Sequence, residues 1–595
     1  MIPLEILAPA RNAEIGIAAI RCGADAVYIA GPKFGARYAA GNEFGDIERL
    51  CSYAHRFGAR IYLTLNTILY DGELEEATGA LRLAEKAGVD AVIVQDPAVV
   101  TLAREAGVSL PLHASTQCAI RTPERAAWLE SLGFTRLILE RQLSLDQVRA
   151  IRAATSADLE FFVHGALCVC ESGGCLMSSV IGRRSGNRGE CAQPCRLPYE
   201  GKQPYPLSLK DNCLAEHLEE LSSAGVTAFK IEGRMKSPAY VYSVTSVYRK
   251  LLDEHRGPTE KELDELENAF SRSGFTDGYY TGVLSHAMFG IRREEDKKRA
   301  ADPRFRTRAP AARRPYADTA AEAPFPLILP EKDASRILSP GKQLGYVARP
   351  EGPLPSSLTL FSDAARIDLP VFALGRTDLA GMEDRISVVL PRVTMDHERQ
   401  ALRRMLADAR AAGITQATVS NLSDLPDLDG FVLHGDYPLN VYNRQTRDLL
   451  ERFSFSSLFL SPEVSPLGFG PSAAAMEALG YGRIPLMHTE TCIIRNIRGD
   501  CPEKNGKKNG GDRRCFASLV DRSGAVFPVL RAEGHRNTVY NAVPTYRLDR
   551  RKELRKAGVG LLTLLFTTET EQEMESVLRC FRESDPHPPF AFTRR

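Results

Sequence analysis

The first 240 residues alternate short apolar runs with helix-like stretches that close on glycine, and this alternation constrains the fold more than any other feature of the chain. The strand-like runs are residues 4–8, 26–30, 60–65, 91–95, 110–114, 136–140, 159–163 and 228–232. Such a rhythm is that of parallel βα units. Helix-like stretches between them, such as 75–88 and 122–133, end in glycine, which supplies the left-handed residue that terminates a helix. Around eight units in roughly 250 residues is the size of a (β/α)8 barrel. A doubly wound open sheet would alternate as well, but no glycine-rich phosphate loop follows the first run. The N-terminal half is therefore expected to be a TIM-like α/β barrel. Polar residues at the run ends would line its pocket: Glu5, Asn66, Gln95, Asp96, His113, Ser115, Gln117, Glu140, His164, Lys230, Glu232 and Arg234. A helix cap or rim hydrogen bond is the plain alternative for any one of them.

Directly after the seventh run come Cys168, Cys175, Cys191 and Cys195, separated by six, fifteen and three residues in a stretch rich in glycine and arginine. Thiolates are soft ligands for zinc or an iron–sulfur cluster, and glycines let backbone N–H groups approach cluster sulfides. Cysteines are often simply buried small hydrophobes, but four in one irregular loop follow no core period. Structural zinc usually takes two short Cys-x-x-Cys-like knuckles, and only Cys191/Cys195 approximates one, so the spacing tilts toward iron–sulfur. Thirteen cysteines in 595 residues, odd in number and irregularly spaced, imply no disulfide framework. The first residues lack the basic and apolar regions of a signal peptide, and no apolar run approaches the roughly 20 residues that span a bilayer. A soluble, cytoplasmic protein of about two to four domains is expected.

The stretch Glu160-Phe-Phe-Val-His-Gly-Ala-Leu-Cys168, followed by Cys175 and Met177-Ser178, together with Lys230-Ile-Glu-Gly-Arg-Met-Lys236, resembles the collagenase-like family known as peptidase U-32. The opening Leu4-Glu-Ile-Leu-Ala-Pro-Ala and Phe270-Ser-Arg-Ser-Gly-Phe-Thr-Asp-Gly-Tyr-Tyr280 fit it too. The resemblance implies an RNA-modifying enzyme that hydroxylates a pyrimidine, giving 5-hydroxycytidine in ribosomal RNA or 5-hydroxyuridine in tRNA. It further implies prephenate as co-substrate and a 4Fe-4S cluster on Cys168, Cys175, Cys191 and Cys195, with Cys213 as the substitute for Cys195. Two regions separated by a linker are most similar to the longer members that act on ribosomal RNA. Other members are labelled proteases, so a collagenase-like peptidase is the alternative, and a non-catalytic iron–sulfur RNA-binding or assembly protein a further one. The residues themselves offer no hydrolase signature, neither His-Glu-x-x-His nor Gly-x-Ser-x-Gly.

Prephenate is a dicarboxylate and would want bidentate arginines and other donors. Arg188, Lys230 and Arg234 are the candidates, with Glu160, His113 and Asn187 completing the substrate site and His164 and Glu232 handling protons. A rim ion-pair network suits Lys230, Glu232 and Arg234 equally well.

The second half repeats the first in outline. Leu433-His434 followed by Ser457-Leu-Phe-Leu-Ser461 parallels Leu112-His113 followed by Leu137-Ile-Leu-Glu140, and residues 484–492 parallel 161–168. A degenerate second barrel-like lobe accounts for this, although βα periodicity alone can generate such similarity. Cys492, Cys501, Cys515 and His535 would make a Cys3His zinc site, with a metal-free loop as the alternative. The expected organisation is a barrel over 1–250, a helical extension over 251–291, a basic Arg/Pro-rich linker over 292–324 and the second lobe over 325–595. Residues 292–314 carry ten Lys/Arg against four acids, which suits either a phosphate backbone or a solvated linker. No RNA-binding module is recognisable, so RNA would meet the barrel faces with a base splayed into the pocket, where Tyr199, Tyr205 or Phe229 could stack.

Overall fold

The computed structural model describes residues 4–296, 344–465, 469, 472–499, 516–583 and 591–593. Cys501, Cys515 and residues 297–324 of the expected linker lie outside them.

All eight expected strand runs form. They are β1 (Glu5–Pro9), β2 (Ala26–Ala30), β3 (Arg60–Leu65), β4 (Ala91–Val94), β5 (Leu112–Ala114), β6 (Arg136–Ile138), β7 (Asp158–Ala166) and, after a short β8 (Asp211–Cys213), β9 (Val226–Ile231). Neighbours pair in parallel in chain order, and β9 closes the barrel by pairing with both β7 and β1. β8 runs antiparallel to the end of β7 and carries β10 (Phe275–Thr276) outside the barrel. Strands β1, β2, β4 and β9 are buried at every position, as expected of a parallel sheet covered on both faces. Inside, Leu7, Ala26, Tyr28, Tyr62, Ala91, Ile93, Ile138 and Phe162 pack together, alanines making room for tyrosines. Helices start where a side chain can cap them: Asn12, Thr122, Ser144, Ser237 and Thr259 each accept from a backbone N–H of the first turn.

Register corrects one expectation. Glu5 is the first residue of β1 and lies level with Ala228 of β9, so it occupies the N-terminal end of the barrel rather than the C-terminal pocket. There it accepts from Arg136 at 2.6 Å and from the Tyr62 hydroxyl at 2.8 Å, with Arg60 3.6 Å away. These arginines open β6 and β3, which places a charged floor beneath the apolar layer.

The second half closes in the same way. Its strands are β11 (Gly345–Pro350), β12 (Arg366–Pro370), β13 (Ile386–Val389), β14 (Gln416–Val419), β15 (Val432–Gly435), β16 (Ser457–Phe459) and β17 (Ala475–Gly482), with the eighth supplied much later. Between come β18 (Pro485–Thr489), β19 (Phe516–Val520), β20 (Val526–Arg531) and β21 (Asn537–Tyr540), which form a separate four-stranded sheet, and β22 (Thr545–Tyr546), which lies antiparallel to β17. β23 (Val559–Phe566) then closes the barrel between β17 and β11. The fold is thus two closed eight-stranded parallel barrels, each interrupted between its seventh and eighth strands. The parallel drawn between 484–492 and 161–168 is broken at Gly482, whose φ of +134° and close approach to Leu565 exclude a side chain. The seventh strand ends there, and His488 belongs to the separate sheet.

One internal correspondence is close. Glu160 and Glu477 are each the third residue of their seventh strand, and both are fully buried. Each accepts from a residue of the eighth strand two places beyond its own partner: Lys230 in the first barrel, Thr563 in the second. The arginine beside the carboxylate has moved, from Arg136 on β6 to Arg366 on β12.

The chain divides into two compact units, and the first takes in Thr489–Gly499 together with the first barrel. In that unit Thr489 bridges to Cys170, Glu490 pairs with Arg121 at 2.8 Å, and the Asn496 amide donates to the Pro206 carbonyl.

Candidate active site

The cysteine stretch leaves the C-terminal end of β7 and is held down by three consecutive residues that follow β6. Glu140 pairs with the buried Arg121 and accepts from the Ser172 N–H. Arg141 reaches across to Glu232, and the Gln142 amide donates to the carbonyls of Cys168 (2.8 Å) and Cys170 (3.1 Å). Glycine is required at two further points. Gly173 (φ +76°) lies so low that a Cβ would sit 2.1 Å from the Gln117 carbonyl oxygen and 3.3 Å from Gln95 Nε2. Gly189 (φ +81°) would place a Cβ 2.4 Å from the Gly35 carbonyl. The side chain of Gln95, 4% exposed, has neither amide atom hydrogen-bonded, an unusual expense for a buried polar group and a mark of a ligand-facing position.

Cys168, Cys175, Cys191 and Cys195 are partly exposed, and Cys170 among them is buried. Burial raises the Cys168 thiol to about 12, with Cys170, Cys195 and Cys191 adding like-charge repulsion. Cys175 is pushed well up by a hydrogen bond with Cys170, by burial, and by Cys168 and Cys191. Burial also raises Cys195, against the pull of Arg196. The four thiols therefore share one neighbourhood. Cys213 is placed elsewhere, on β8 with its sulfur 3.8 Å from the Tyr248 hydroxyl. Among the described residues no three His, Cys, Asp or Glu side chains form a group able to hold a metal ion. Of the second proposed set, Cys492 belongs to the first unit and His535 to the second.

Below the loop, the mouth carries a cationic cluster. Glu232 is 2.9 Å from Arg141 and 3.6 Å from Arg37, while Arg234, 5% exposed, donates to the Thr64 hydroxyl at 2.9 Å. Lys230 donates to Glu160 at 2.6 Å, and its ammonium lies over the rings of Tyr28 and Phe162. Burial opposes the charge of Glu232, yet Arg141, Arg37, Arg234 and Lys230 together hold its carboxyl below the usual range. Burial lowers Arg234, with Arg37 and Arg141 adding repulsion that Tyr28 and Glu232 oppose. Burial lowers Lys230 despite its pairing with Glu160. Arg37, Arg141 and Arg234 thus gather about the one carboxylate of Glu232, while Lys230 is paired with Glu160, which lies level with Glu5. Around Glu232 the guanidinium groups outnumber the carboxylate.

The other expected residues are placed as follows. Arg188 is paired with Glu73, donates to the Ile68 carbonyl and stacks on Tyr70, so its charge ties the cysteine loop to the segment after β3. Asn187 is buried beside it, its carbonyl accepting from the Ile68 N–H. His113 is inside the barrel with its ring edge-on to Tyr62, and burial keeps it neutral. The His164 ring faces the outer helix Pro238–Glu254: Nδ1 lies 3.3 Å from the Tyr248 hydroxyl, Phe275 packs at 5.2 Å, and burial lowers its pKa to about 3. Tyr199 and Phe229 are core residues, whereas Tyr205 is partly exposed. Arg37, Arg121 and Arg141 were not foreseen. Arg141 follows a strand run directly and could have been found from that position, while Arg37 lies in an irregular loop with no period to flag it.

A family model described as Peptidase family U32 matches residues 11–288. The 23S rRNA 5-hydroxycytidine C2501 synthase of Escherichia coli (strain K12) is 51% identical over 266 residues, 43% of this chain and 40% of that protein. The tRNA hydroxylation protein P1 of Bacillus subtilis (strain 168) is 32% identical over 311 residues, 48% of this chain and 73% of that protein. The Collagenase of Porphyromonas gingivalis (strain ATCC BAA-308 / W83) is 34% identical over 308 residues, 47% of this chain and 73% of that protein. The Escherichia coli match therefore spans less than half of either chain, and the Bacillus subtilis match covers most of that relative. Matched at more than 30% identity over most of the Bacillus subtilis and Porphyromonas gingivalis relatives, the chain belongs to peptidase family U32.

Proposed function

We propose that this chain is an RNA-modifying enzyme that hydroxylates a pyrimidine, 5-hydroxycytidine in ribosomal RNA being the favoured product, with prephenate as acidic co-substrate. The observation that carries the proposal is the gathering of Arg37, Arg141 and Arg234 about the single carboxylate of Glu232, next to Gln142, which holds the thiol loop. The planar guanidinium groups of Arg141, Arg37 and Arg234 suit bidentate pairing with the carboxylates of such a co-substrate. The names of the Escherichia coli and Bacillus subtilis relatives support RNA as the second substrate. Arg188, already neutralised by Glu73, has a loop-positioning role in this reading.

Cys168, Cys175, Cys191 and Cys195 would hold the iron–sulfur cluster: burial and neighbouring thiols raise Cys168, Cys175 and Cys195, with Cys191 among those neighbours, and a cationic polynuclear ligand would relieve them. When bound, such a cluster supplies redox chemistry that the amino acids lack. The chain's own residues do the rest. Gln142 and Glu140 fix the loop above the mouth, Gln95 offers an amide to a bound polar group, and Glu232, kept ionised by its arginines, holds their guanidinium groups in place. A pyrimidine would have to leave its stack to reach this depth.

The test is nucleoside mass spectrometry of ribosomal RNA and tRNA from cells lacking the gene, complemented with wild type or Cys168→Ser. One hydroxylated pyrimidine should disappear and return only with wild type. Identical nucleoside profiles would overturn the proposal and move peptide cleavage by anaerobically purified protein to first place.

A further inference from the structure

The two stretches 230–236 and 270–280 meet beside the mouth at a cluster that neither the arginine site nor the thiol loop uses. The Lys236 ammonium lies on the face of the Phe270 ring, and the guanidinium carbons of Arg292 and Arg272 are 4.3 and 5.2 Å from the same ring centre. Lys236, Arg272 and Phe270 are partly exposed and Arg292 is exposed. The acids nearby are largely committed. Asp211 is buried and paired with Arg272, Asp296 accepts from the backbone N–H groups of Arg293 and Ser273, and Glu232 is outnumbered at the mouth. Lys210 adds to the excess, its stem lying against Gly290 next to the Arg272 carbonyl. With Asp211 committed to Arg272, the cations around this one ring still outnumber the acid beside them and repel one another unless a further anion joins them.

Location gives the patch its meaning. Arg272 is an electrostatic neighbour of Arg196, which follows Cys195 and donates to the Leu167 carbonyl at the root of the thiol loop. Lys236 lies four residues beyond Glu232, whose backbone carbonyl accepts from Tyr240, and the Tyr240 ring meets Phe270 edge-on at 6.4 Å. The patch is therefore joined through single residues both to the thiol loop and to the mouth.

We infer that Lys236, Arg272 and Arg292, gathered on Phe270, bind the phosphate backbone of the single-stranded RNA substrate and so hold one nucleotide over the barrel mouth. The inference rests on the RNA reading above. Phosphates satisfy exposed cations without sequence preference, and an aromatic platform among cations is a recurring surface for single strands.

The test is fluorescence anisotropy of a labelled 20-nucleotide single-stranded RNA with the full-length, anaerobically purified protein, its Lys236→Glu/Arg292→Glu variant and its Arg292→Gln variant, across a salt series. The double variant should bind at least tenfold more weakly at low salt. Its slope of log affinity against log salt should be shallower by about 1.4, and that of Arg292→Gln by about 0.7, at roughly 0.7 per phosphate contact on a single strand. Arg292→Gln, at an exposed position, keeps the test valid should the double variant fold poorly. Unchanged affinity and slope in both variants would overturn the patch alone, whereas no RNA binding by wild type would overturn the RNA reading with it. A polyglutamate peptide that competes as well as RNA would overturn the assignment to RNA in favour of an acidic polypeptide.

Discussion

Replacing Lys230 with methionine removes the cation that lies 2.6 Å from Glu160 at the centre of the first barrel, where the two side chains are 5% and 0% exposed. Breaking a buried pair leaves a charge without partner or water and costs about 3–5 kcal/mol, whereas removing both charges is often close to neutral. The arrangement shows why the double change should be mild here. Arg136, the other cation near Glu160 at 3.5 Å, keeps Glu5 at 2.6 Å and Asp158 at 3.3 Å. Lys230→Met and Glu160→Gln should each destabilise the protein by about 3–5 kcal/mol, which in a unit of this size lowers Tm by roughly 6–10 °C. The pair Lys230→Met/Glu160→Gln should cost no more than either single change, a coupling of about 3 kcal/mol or more. The Glu160→Gln penalty also has a pH sign. Burial depresses the Lys230 pKa in the folded state, so the unfolded chain binds more protons below its own lysine pKa, and the penalty shrinks as pH rises from 7 toward 10. Differential scanning calorimetry of the full chain and the three variants at pH 7 and pH 9 measures all of this. A double variant that loses the sum of the two single losses would refute the argument that these charges sustain one another.

Further outcomes follow from the site. Gly173→Ala forces a left-handed backbone on alanine, about 1–2 kcal/mol, and drives its Cβ into the Gln117 carbonyl; iron per mole of protein should fall sharply while the barrel's main melting transition stays in place. Arg141→Met removes the 2.9 Å partner of Glu232; the KM for prephenate should rise about tenfold or more, as the loss of a charge-assisted hydrogen bond of about 1.5–3 kcal/mol implies, and an unchanged KM would remove Arg141 from the co-substrate site. Glu490→Gln removes one of the carboxylates that hold Arg121, leaving Glu140 and Glu171, and should raise protease cleavage within 489–499, read by mass spectrometry of limited digests. Burial, with Arg272 and Arg292 beside it, lowers Lys236 to about 7, so RNA affinity should weaken from pH 6 to pH 8.5 as this lysine loses its proton, and Lys236→Arg should flatten the profile.

The strands were legible because each is an apolar run bounded by polar or glycine residues, and parallel strands buried on both faces leave that mark directly in the chain. The thiol loop was legible for the opposite reason, since its cysteines obey no packing period. What sequence could not show is pairing across distance. Arg188 has the look of an anion ligand until Glu73, 115 positions earlier, neutralises it. Glu5 stands at a strand end like Glu140, but only the register with β9 tells the floor of the barrel from its mouth. His164 lies in the most distinctive motif of the chain, yet an irregular register between β7 and β9 at Phe162/His164 accompanies a ring turned toward the outer helix. Arg37 and Arg141 gain their importance from Glu232, which is distant from both along the chain.

The discontinuous first unit has a consequence in time. Its barrel strands are complete by residue 231, but the residues that bridge Cys170 and neutralise Arg121 are numbered 489 and 490. A ribosome adding about 5–20 residues per second reaches them roughly 13–50 s after β9 emerges. Through that interval the thiol loop of a nascent chain stands without one of its walls, and its cysteines are open to solvent and to whatever they bind before the segment arrives.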